Sequence, residues 1–350
     1  MSDTSNVLRG VVAADADPTA ETRKADHIEL AFKSRVAAEQ LDRRFYYEPL
    51  LAAHPEPGSL PRVAVAGGEF RAPIWVSSMT GGAAMAGVIN RNLARACAEF
   101  GMGMGLGSCR QLLYARTHFA DFDVRDLMGP DRPLYANLGI AQLETLLDEK
   151  AGDRIFELVD LLRADGLIIH VNPLQEAMQP EGDVFRCPPV ETIQAILELG
   201  GLRLIVKEVG QGFGPASLRA LLCLPLEALE FAAAGGANFA RLELLRSDAQ
   251  KQNVFGKIAA VGHSATEMMD FVCQIARSET VRTRGLILSG GVSDFLDGYY
   301  LLRRAPLPAV YGQASGLLAH ARGDYAELRA FLQAQIRGLE LAYAYLHPRN

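Results

Sequence analysis

The 350-residue chain is poor in cysteine, and its cysteines do not form a recognisable pattern. They are odd in number and include no Cys-x-x-Cys pair: Cys97, Cys109, Cys187, Cys223 and Cys273. This spacing predicts neither a disulfide framework nor a zinc site, and it is typical of a reducing, cytoplasmic location. Long apolar runs are also lacking. No run approaches the ~18 residues of a membrane span, and the first twenty residues lack a signal-peptide core. We therefore expect no membrane association.

The chain also lacks an excess of positive charge. Lys and Arg number 35 against 41 Asp and Glu, a net charge of -6 with neutral histidines. This balance argues against a nucleic-acid binder, because counterion release requires a concentrated basic face. What the chain has is 49% hydrophobic residues and 33 glycines, enough for a large core without crosslinks. Residues 1–20 are small and polar and are predicted to form a flexible arm, followed by a single domain over 21–350.

Eight short apolar runs alternate with amphipathic segments along the chain. The predicted strands are Pro73–Ser77, Gly101–Gly107, Pro133–Leu138, Gly166–Asn172, Leu202–Val209, Leu226–Ala234, Gly285–Gly290 and Ala309–Gln313. Near-continuous apolar strands are typical of a parallel sheet covered on both faces, and eight such strands can close into a barrel. Amphipathic periodicity predicts a helix over Ala83–Phe100 and another near the C-terminus, from Leu328 to Tyr343.

These patterns predict an α/β fold, a (β/α)8 TIM barrel with an N-terminal extension and a C-terminal helix. The alternative is an open doubly wound sheet. That fold would carry a Gly-x-Gly-x-x-Gly turn after its first strand, whereas this strand runs into Ser78-Met79-Thr80-Gly81-Gly82. In a barrel, the active site lies at the carboxyl ends of the strands, so the residues there are the candidates for function.

Two glycine-containing loops follow the last two predicted strands. They are Ser289-Gly290-Gly291 and Gln313-Ala314-Ser315-Gly316. Barrels commonly bind phosphate with the loops after strands seven and eight, where small residues let backbone N–H groups approach the anion. The glycines of either loop alone could simply serve the turn from a strand to the following helix, but the two loops in this order favour a phosphate site.

Lys207 interrupts the apolar run from Leu204 to Val209. Burying an ammonium group costs several kcal/mol unless it meets a negative partner. The position therefore indicates an anion, and an anionic reduced flavin would supply one. The alternative is a lysine that pairs with Glu208 or reaches solvent at the end of the strand.

The fourth predicted strand carries a cluster of polar residues. Strand alternation places Ile168, His170 and Asn172 on one face, and Gln175 and Glu176 follow. An imidazole, amides and a carboxylate within seven residues indicate a site rather than an isolated core histidine. One carboxylate is too little for an all-protein metal cage, but it suits a Mg2+ ion that keeps waters and binds a substrate diphosphate.

A basic segment precedes the barrel. Arg23, Lys24 and His27 lie within five residues, which is typical of a solvated helix face. The functional alternative is a diphosphate clamp, to which Arg110 from the second strand-end loop would add a bidentate guanidinium.

In this order the motifs resemble those of the type 2 isopentenyl-diphosphate isomerases, over residues 23 to about 316. The most specific are Arg23-Lys24-x-x-His27, Ser77-Ser78-Met79-Thr80-Gly81-Gly82, Gly107-Ser108-x-Arg110, Asn137-Leu138-Gly139, His170-x-Asn172-Pro173-Leu174-Gln175-Glu176, Gln179-Pro180-Glu181-Gly182, Lys207-Glu208-x-Gly210 and Ser289-Gly290-Gly291. The resemblance implies conversion of isopentenyl diphosphate to dimethylallyl diphosphate by proton transfer with reduced FMN. It further implies Mg2+, NAD(P)H as reductant and a homo-oligomer, a tetramer or larger.

The resemblance also implies roles for individual residues. The residues that would bind FMN are Ser78, Met79, Thr80, Ser108, Asn137, Lys207, Gly290, Gly291, Ala314 and Ser315. Those that would bind the substrate are Arg23, Lys24, His27, Arg110, His170, Asn172 and Gln175. Gln175 and His170 would be catalytic, and Glu176 would bind the metal.

The chain departs from the family pattern at two loops. After the sixth strand it has Gly235-Gly236-Ala237-Asn238, where the family pattern is Gly-Gly-Thr. Before the last phosphate loop it has Gly312-Gln313-Ala314, where the pattern is Gly-Met-Ala. One hydroxyl contact to FMN would then be missing, and Asn238 could replace it. Two other functions stay open, the second of them because of these altered loops. One is an FMN-dependent hydroxy-acid oxidase or dehydrogenase with His263 as its histidine, and the other is a non-catalytic FMN- or prenyl-phosphate-binding protein.

Overall fold

The computed structural model describes residues 20–78, 80–81 and 85–349. The predicted arm therefore lies, except for Ala20, outside the described residues, as does Met79. The chain divides into two compact units, one of residues up to Phe45 together with Arg349, the other Tyr46–Pro348. The first unit contains helix α1 (Ala20–Leu30) and a 3-10 turn at Ala38–Gln40. The prediction of one domain over 21–350 stays a prediction.

The remaining elements belong to an alternating α/β arrangement. The strands are β1 (Phe45–Tyr47), β2 (Val63–Val65), β3 (Gly68–Phe70), β4 (Ile74–Val76), β5 (Gly103–Gly105), β6 (Leu134–Gly139), β7 (Gly166–His170), β8 (Leu204–Lys207), β9 (Ala228–Glu230), β10 (Leu286–Ser289), β11 (Ala309–Gln313) and β12 (Leu346–Pro348). The helices after α1 are α2 (Ala86–Phe100), α3 (Phe119–Phe122), α4 (Arg125–Met128), α5 (Ile140–Asp148), α6 (Asp153–Leu161), α7 (Pro173–Met178), α8 (Pro189–Leu199), α9 (Pro215–Leu222), α10 (Phe239–Leu245), α11 (Ala249–Ala259), α12 (Ala265–Ser278), α13 (Phe295–Arg304), α14 (Ser315–Ala321) and α15 (Tyr325–Tyr345). No helix in the described part of the chain has the length and apolarity needed to cross a membrane.

Strands β4 to β11 form a closed parallel barrel. Each strand pairs with the next, and β11 closes the ring by pairing with β4, with Tyr311 opposite Ile74 and Gln313 opposite Val76. The predicted (β/α)8 barrel and C-terminal helix are confirmed. The carboxyl ends of all eight strands therefore meet at one end of the barrel, which is where function is expected.

Most of the predicted strands are too long. The strand predicted to reach Asn172 ends at His170, and the strand predicted to reach Ala234 ends at Glu230. Asn172 (φ -135°, ψ 49°) instead precedes α7, and Ala232 has a positive φ of 42° that ends the extended backbone. The apolar runs continue past the last paired residue because the loops are buried too. Apolar character therefore indicated burial rather than strand pairing.

A hairpin closes the amino-terminal end of the barrel. Strands β2 and β3 are joined by Ala66 and Gly67, both with positive φ (52° and 75°), as a two-residue hairpin turn requires. The hydroxyl of Tyr135 donates to the Ala66 carbonyl at 3.1 Å. The hairpin packs on an apolar layer inside the barrel, made by Trp75, Tyr135, Ile168, Ile205, Ala228, Ile287 and Val310. Because this end is filled, the opposite end is left for a ligand.

Candidate active site at the carboxyl end of the barrel

A layer of small and polar residues lies above the apolar layer. Because side chains alternate along a strand, the residue two positions beyond each apolar one also points into the barrel. These residues are Ser77, Asn137, His170, Lys207, Glu230, Ser289 and Gly312. The change from apolar to polar side chains, two residues further along six of the eight strands, marks the floor of a site.

Three chemically different side chains lie next to each other in this layer. His170 on β7 is paired in register with Lys207 on β8, and Lys207 with Glu230 on β9. An imidazole, an ammonium and a carboxyl group thus occupy adjacent strands at one height. The sequence predicted the first two as site residues, whereas Glu230 was not singled out.

The imidazole of His170 is held as one tautomer. Asn137 donates from Nδ2 to the Leu106 carbonyl at 3.0 Å, so its Oδ1 faces His170 Nδ1 at 2.8 Å and accepts a hydrogen bond from it. The proton is therefore on Nδ1, and Nε2 carries a lone pair. Burial, together with the charge of Lys207, lowers the pKa of His170 to about 3. At neutral pH this residue is an acceptor rather than a cation.

Lys207 does not pair with its neighbour Glu208 through the carboxylate. Its Nζ donates to the backbone carbonyl of Glu208 at 2.6 Å. The Glu208 carboxylate turns away and accepts backbone N–H bonds from Gly210, Gln211 and Gly212 at 2.6, 2.5 and 2.9 Å. Burial nevertheless raises the pKa of Glu208, against the effect of these bonds and of Lys207. The buried ammonium thus forms no direct ion pair with a carboxylate of the described residues.

Above this floor lies a cavity of about 310 Å³ between the loops after β4, β9, β10 and β11. Several buried polar atoms at the cavity have no hydrogen-bond partner in the described part of the chain: Ser77 Oγ, Ser78 Oγ, Glu230 Oε2 and Gln313 Oε1. Buried polar groups are nearly always paired, so orphaned atoms around one cavity indicate a polar ligand.

One wall of the cavity is bare backbone. Gly235, Gly290 and Gly291 have φ of 112°, 89° and 69°, a region that other residues rarely adopt. A Cβ on Gly290 would overlap the backbone N and O of Ala233. Ala314 and Ser315 line the same cavity. Successive backbone N–H groups without side chains in front of them form a concavity suited to an anion such as phosphate.

The first two strand-end loops contact each other through their backbones. A Cβ on Gly107 would lie 2.5 Å from the backbone C and O of Thr80, so the close approach requires glycine. Ser78 and Thr80 are partly buried, and Ser108 is exposed. These loops bring three of the predicted FMN residues to the same region of the barrel mouth.

The fourth loop forms a hydrogen-bonded cluster. Asn172 Nδ2 donates to Gln175 Oε1 at 3.1 Å and to Glu176 Oε1 at 2.9 Å. Glu176 Oε2 accepts from the backbone N–H of Asp183 at 2.8 Å. Asn172 Oδ1 is buried and unpartnered within the described residues. Three of the predicted site residues are therefore together, and the carboxylate of Glu176 is held by its own loop.

Asp183 connects this cluster to Arg110. Its Oδ2 accepts from Arg110 Nη1 and from Gln142 Nε2, both at 2.9 Å. The guanidinium predicted to bind diphosphate thus contacts a carboxylate of the fourth loop. Within the described ranges, no group of three or more His, Cys, Asp or Glu could hold a metal ion. Glu176 would offer one carboxylate to a cation, and the diphosphate and water would have to supply the rest.

The remaining predicted residues either belong to the first compact unit or have contacts other than those predicted. Arg23, Lys24 and His27 are exposed on α1, in the first compact unit. Asn238, expected as a replacement for a hydroxyl, caps α10 through Oδ1 and donates from Nδ2 to the Ala259 carbonyl at 2.8 Å. His263 lies in a separate groove, with its ring against Phe271.

Sequence reasoning missed Glu230, Gln313 and Asp183 as site residues. Glu230 could have been found, because it is a charge inside an apolar run, the same signal that identified Lys207. Gln313 was named within the predicted phosphate loop and as a departure from a family motif, but no role was predicted for its side chain. Asp183 has no local signal, since its contact with Arg110 joins residues 73 positions apart.

The closed parallel barrel with a polar layer at its carboxyl end defines the protein as a (β/α)8-barrel enzyme. Among solved structures, it is similar to a flavocytochrome b2 variant with sulfite bound (TM-score 0.58, 12% identity, 85% of this chain and 71% of that chain). It is also similar to a mandelate oxidase mutant with a monooxide FMN adduct (TM-score 0.54, 11% identity, 87% and 88%). At these identities the likeness concerns the fold.

Sequence relatives identify the family. The chain is 32% identical to the isopentenyl-diphosphate delta-isomerase of Chlorobium chlorochromatii over 295 residues, which cover 79% of this chain and 80% of that protein. It is 34% identical to the Deinococcus radiodurans protein of the same name over 336 residues, or 93% and 95%. No protein-family model matches the chain. The chain belongs to the isopentenyl-diphosphate delta-isomerase family.

Proposed function

We propose that this protein converts isopentenyl diphosphate to dimethylallyl diphosphate and binds reduced FMN in the barrel cavity. The observation that carries the proposal is the cavity itself, which is lined by a buried ammonium, orphaned polar atoms and a glycine wall. The family membership supports the reaction. The likeness of the fold to that of an enzyme with an FMN adduct supports the cofactor.

The residues around the cavity fit FMN. Gly290, Gly291, Ala314 and Ser315 would hold its phosphate, because these small residues line the cavity and leave the backbone open to an anion. Lys207 would meet a negative ring, which gives its buried ammonium the anion it lacks. Ser78, Thr80, Ser108 and Asn137 would complete the set of FMN residues. When bound, the reduced flavin would supply a group that exchanges a proton with the substrate carbons.

The protein's own groups would bind and orient the diphosphate and its carbon chain. Arg110 would supply two N–H donors to the diphosphate after leaving Asp183. His170 keeps its proton on Nδ1 and offers Nε2 as acceptor, so it can take a hydrogen bond or a proton without first losing one. Asn172 holds the amide of Gln175, which fixes that side chain beside the site. Glu176 would bind Mg2+ together with the diphosphate and water.

A hydroxy-acid oxidase or dehydrogenase is not favoured by the contacts of His263. Its Nδ1 lies 3.4 Å from Glu267 Oε1. Its ring makes a T-shaped contact with Phe271, in a groove that residues of α8 and α9 also line. It is not among the residues around the cavity that holds Lys207 and Glu230. The histidine required by that chemistry therefore lies outside the candidate site.

The test is an anaerobic incubation with FMN, Mg2+, NADPH and isopentenyl diphosphate. We expect dimethylallyl diphosphate to accumulate without further NADPH consumption once the flavin is reduced. Gln175→Ala and His170→Ala should abolish turnover while flavin stays bound, and Gln274→Ala, an exposed amide on α12, should leave it unchanged. Bound flavin without product would contradict the isomerase function, and unchanged turnover in both site variants would contradict the role of the fourth strand.

A further inference from the structure

Glu230 is a fully buried carboxyl group on β9 that the proposed function leaves without a role. Its Oε1 accepts from Ser289 Oγ at 3.1 Å, and Ser289 Oγ itself accepts from the backbone N–H of Ala232 at 2.9 Å. The single hydroxyl hydrogen of Ser289 is therefore available to Glu230, which fixes the carboxyl group. Its other oxygen, Oε2, is buried at the cavity and has no partner among the described residues.

Lys207 is the cationic residue next to Glu230 in the barrel. The two residues are paired in register on adjacent strands, and both point into the barrel. On the other side of Lys207, the neighbouring residue is His170, which is neutral for the reasons given above. The carboxylate of Glu208 instead accepts three backbone N–H hydrogen bonds from its own loop. Lys207 and Glu230 each have a hydrogen bond to a neutral group but form no ion pair among the described residues. A buried cation and a buried anion in this situation are least costly as each other's counter-ions.

Resting on the proposed function, we propose that Glu230 is a positioning residue that balances the charge of Lys207 and thereby sets how strongly the cavity prefers reduced over oxidised flavin. A negative charge beside Lys207 opposes the attraction between the ammonium and an anionic reduced ring. It affects a neutral oxidised ring much less, because the charge interaction is then missing. The carboxylate thus limits the preference that the lysine creates.

The test measures the dissociation constants of oxidised and dithionite-reduced FMN and takes their ratio, oxidised over reduced. Glu230→Gln keeps the shape and the acceptor for Ser289 but removes the charge. We expect its ratio to rise about tenfold, on the scale of one unit charge in a partly screened interior, which is about 30 mV for a two-electron couple. A merely structural role would weaken both constants alike.

A matched control removes the same charge elsewhere. Glu227 lies three residues earlier, at the hairpin end of the barrel, and pairs with Arg284 at 3.1 Å. Glu227→Gln should leave the ratio within about twofold of the native value. A Glu230→Gln ratio equal to that of Glu227→Gln would overturn the inference. Native protein that binds no FMN in either state would overturn the proposed function, and this inference with it.

A second variant decides the question if Glu230→Gln does not fold. Removing both charges with Lys207→Met and Glu230→Gln should restore folding, because no unpaired buried charge remains. The double variant should also bind both flavin forms, with a ratio near that of the native protein. A double variant that does not fold, or whose ratio equals that of Lys207→Met alone, would overturn the pairing.

Discussion

The neutral state of His170 makes the stability of the fold depend on pH. Burial and Lys207 lower the pKa of this imidazole to about 3, against an ordinary value of 6.5. Between these values the unfolded chain binds a proton at this residue that the folded protein does not bind. The free energy of unfolding therefore falls as pH decreases through this range, and the penalty is absent well above pH 6.5.

The size of this effect follows from the two pKa values. At pH 5 the unfolded imidazole is almost fully protonated and the folded one almost fully neutral, so His170 alone lowers the free energy of unfolding by about 2 kcal/mol relative to pH 8. This is a large share of the roughly 5–15 kcal/mol typical of a folded domain. The loss approaches its full extent only near pH 3.

Urea unfolding at pH 8 and pH 5 measures this loss of stability in the native protein and in His170→Gln. Glutamine keeps an N–H for Asn137 but does not titrate, so the drop between the two pH values should shrink by about 2 kcal/mol. The control is His118→Gln, at an exposed histidine. In this variant the free energy of unfolding should fall between pH 8 and pH 5 by as much as in the native protein. Long-range proton–nitrogen NMR of labelled histidine should show Nδ1–H at pH 5. Equal drops in the native protein and His170→Gln, or a charged imidazole at pH 5, would refute the reasoning.

Two further variants test the cavity wall and the fourth loop. Gly290→Ala puts a Cβ onto the backbone of Ala233 at a φ of 89°, so we expect a stability loss of at least about 1 kcal/mol and weaker FMN binding. Gly316→Ala, whose Cβ has nothing within 4 Å, should be tolerated, and equal behaviour of the two would contradict the close packing. Asp183→Asn frees Arg110 from an exposed ion pair, so the KM for isopentenyl diphosphate should fall by up to about fivefold at low salt and less at high salt. A higher KM would mean that Asp183 itself helps to bind the substrate.

Much of the barrel could be predicted because its strands are covered on both faces. The run Ala309–Gln313 coincides with β11. The runs around β7 and β9 extend beyond the strands, because the chain stays buried after pairing stops. Composition reports burial, whereas the end of a strand depends on which neighbour remains within hydrogen-bonding distance.

For the candidate site, too, part was predictable from the sequence and part was not. The sequence by itself determined which residues carry chemistry, because a lysine in an apolar strand, a polar cluster at a strand end and paired glycine loops are costly or unusual wherever they lie. Only the tertiary structure decided their partners. Asn137 fixes the proton of His170, and Glu230 lies next to Lys207 in the register of the barrel, whereas the carboxylate of Glu208 binds backbone N–H groups of its own loop. These pairings join different strands, and closure of the barrel decides which strand ends meet.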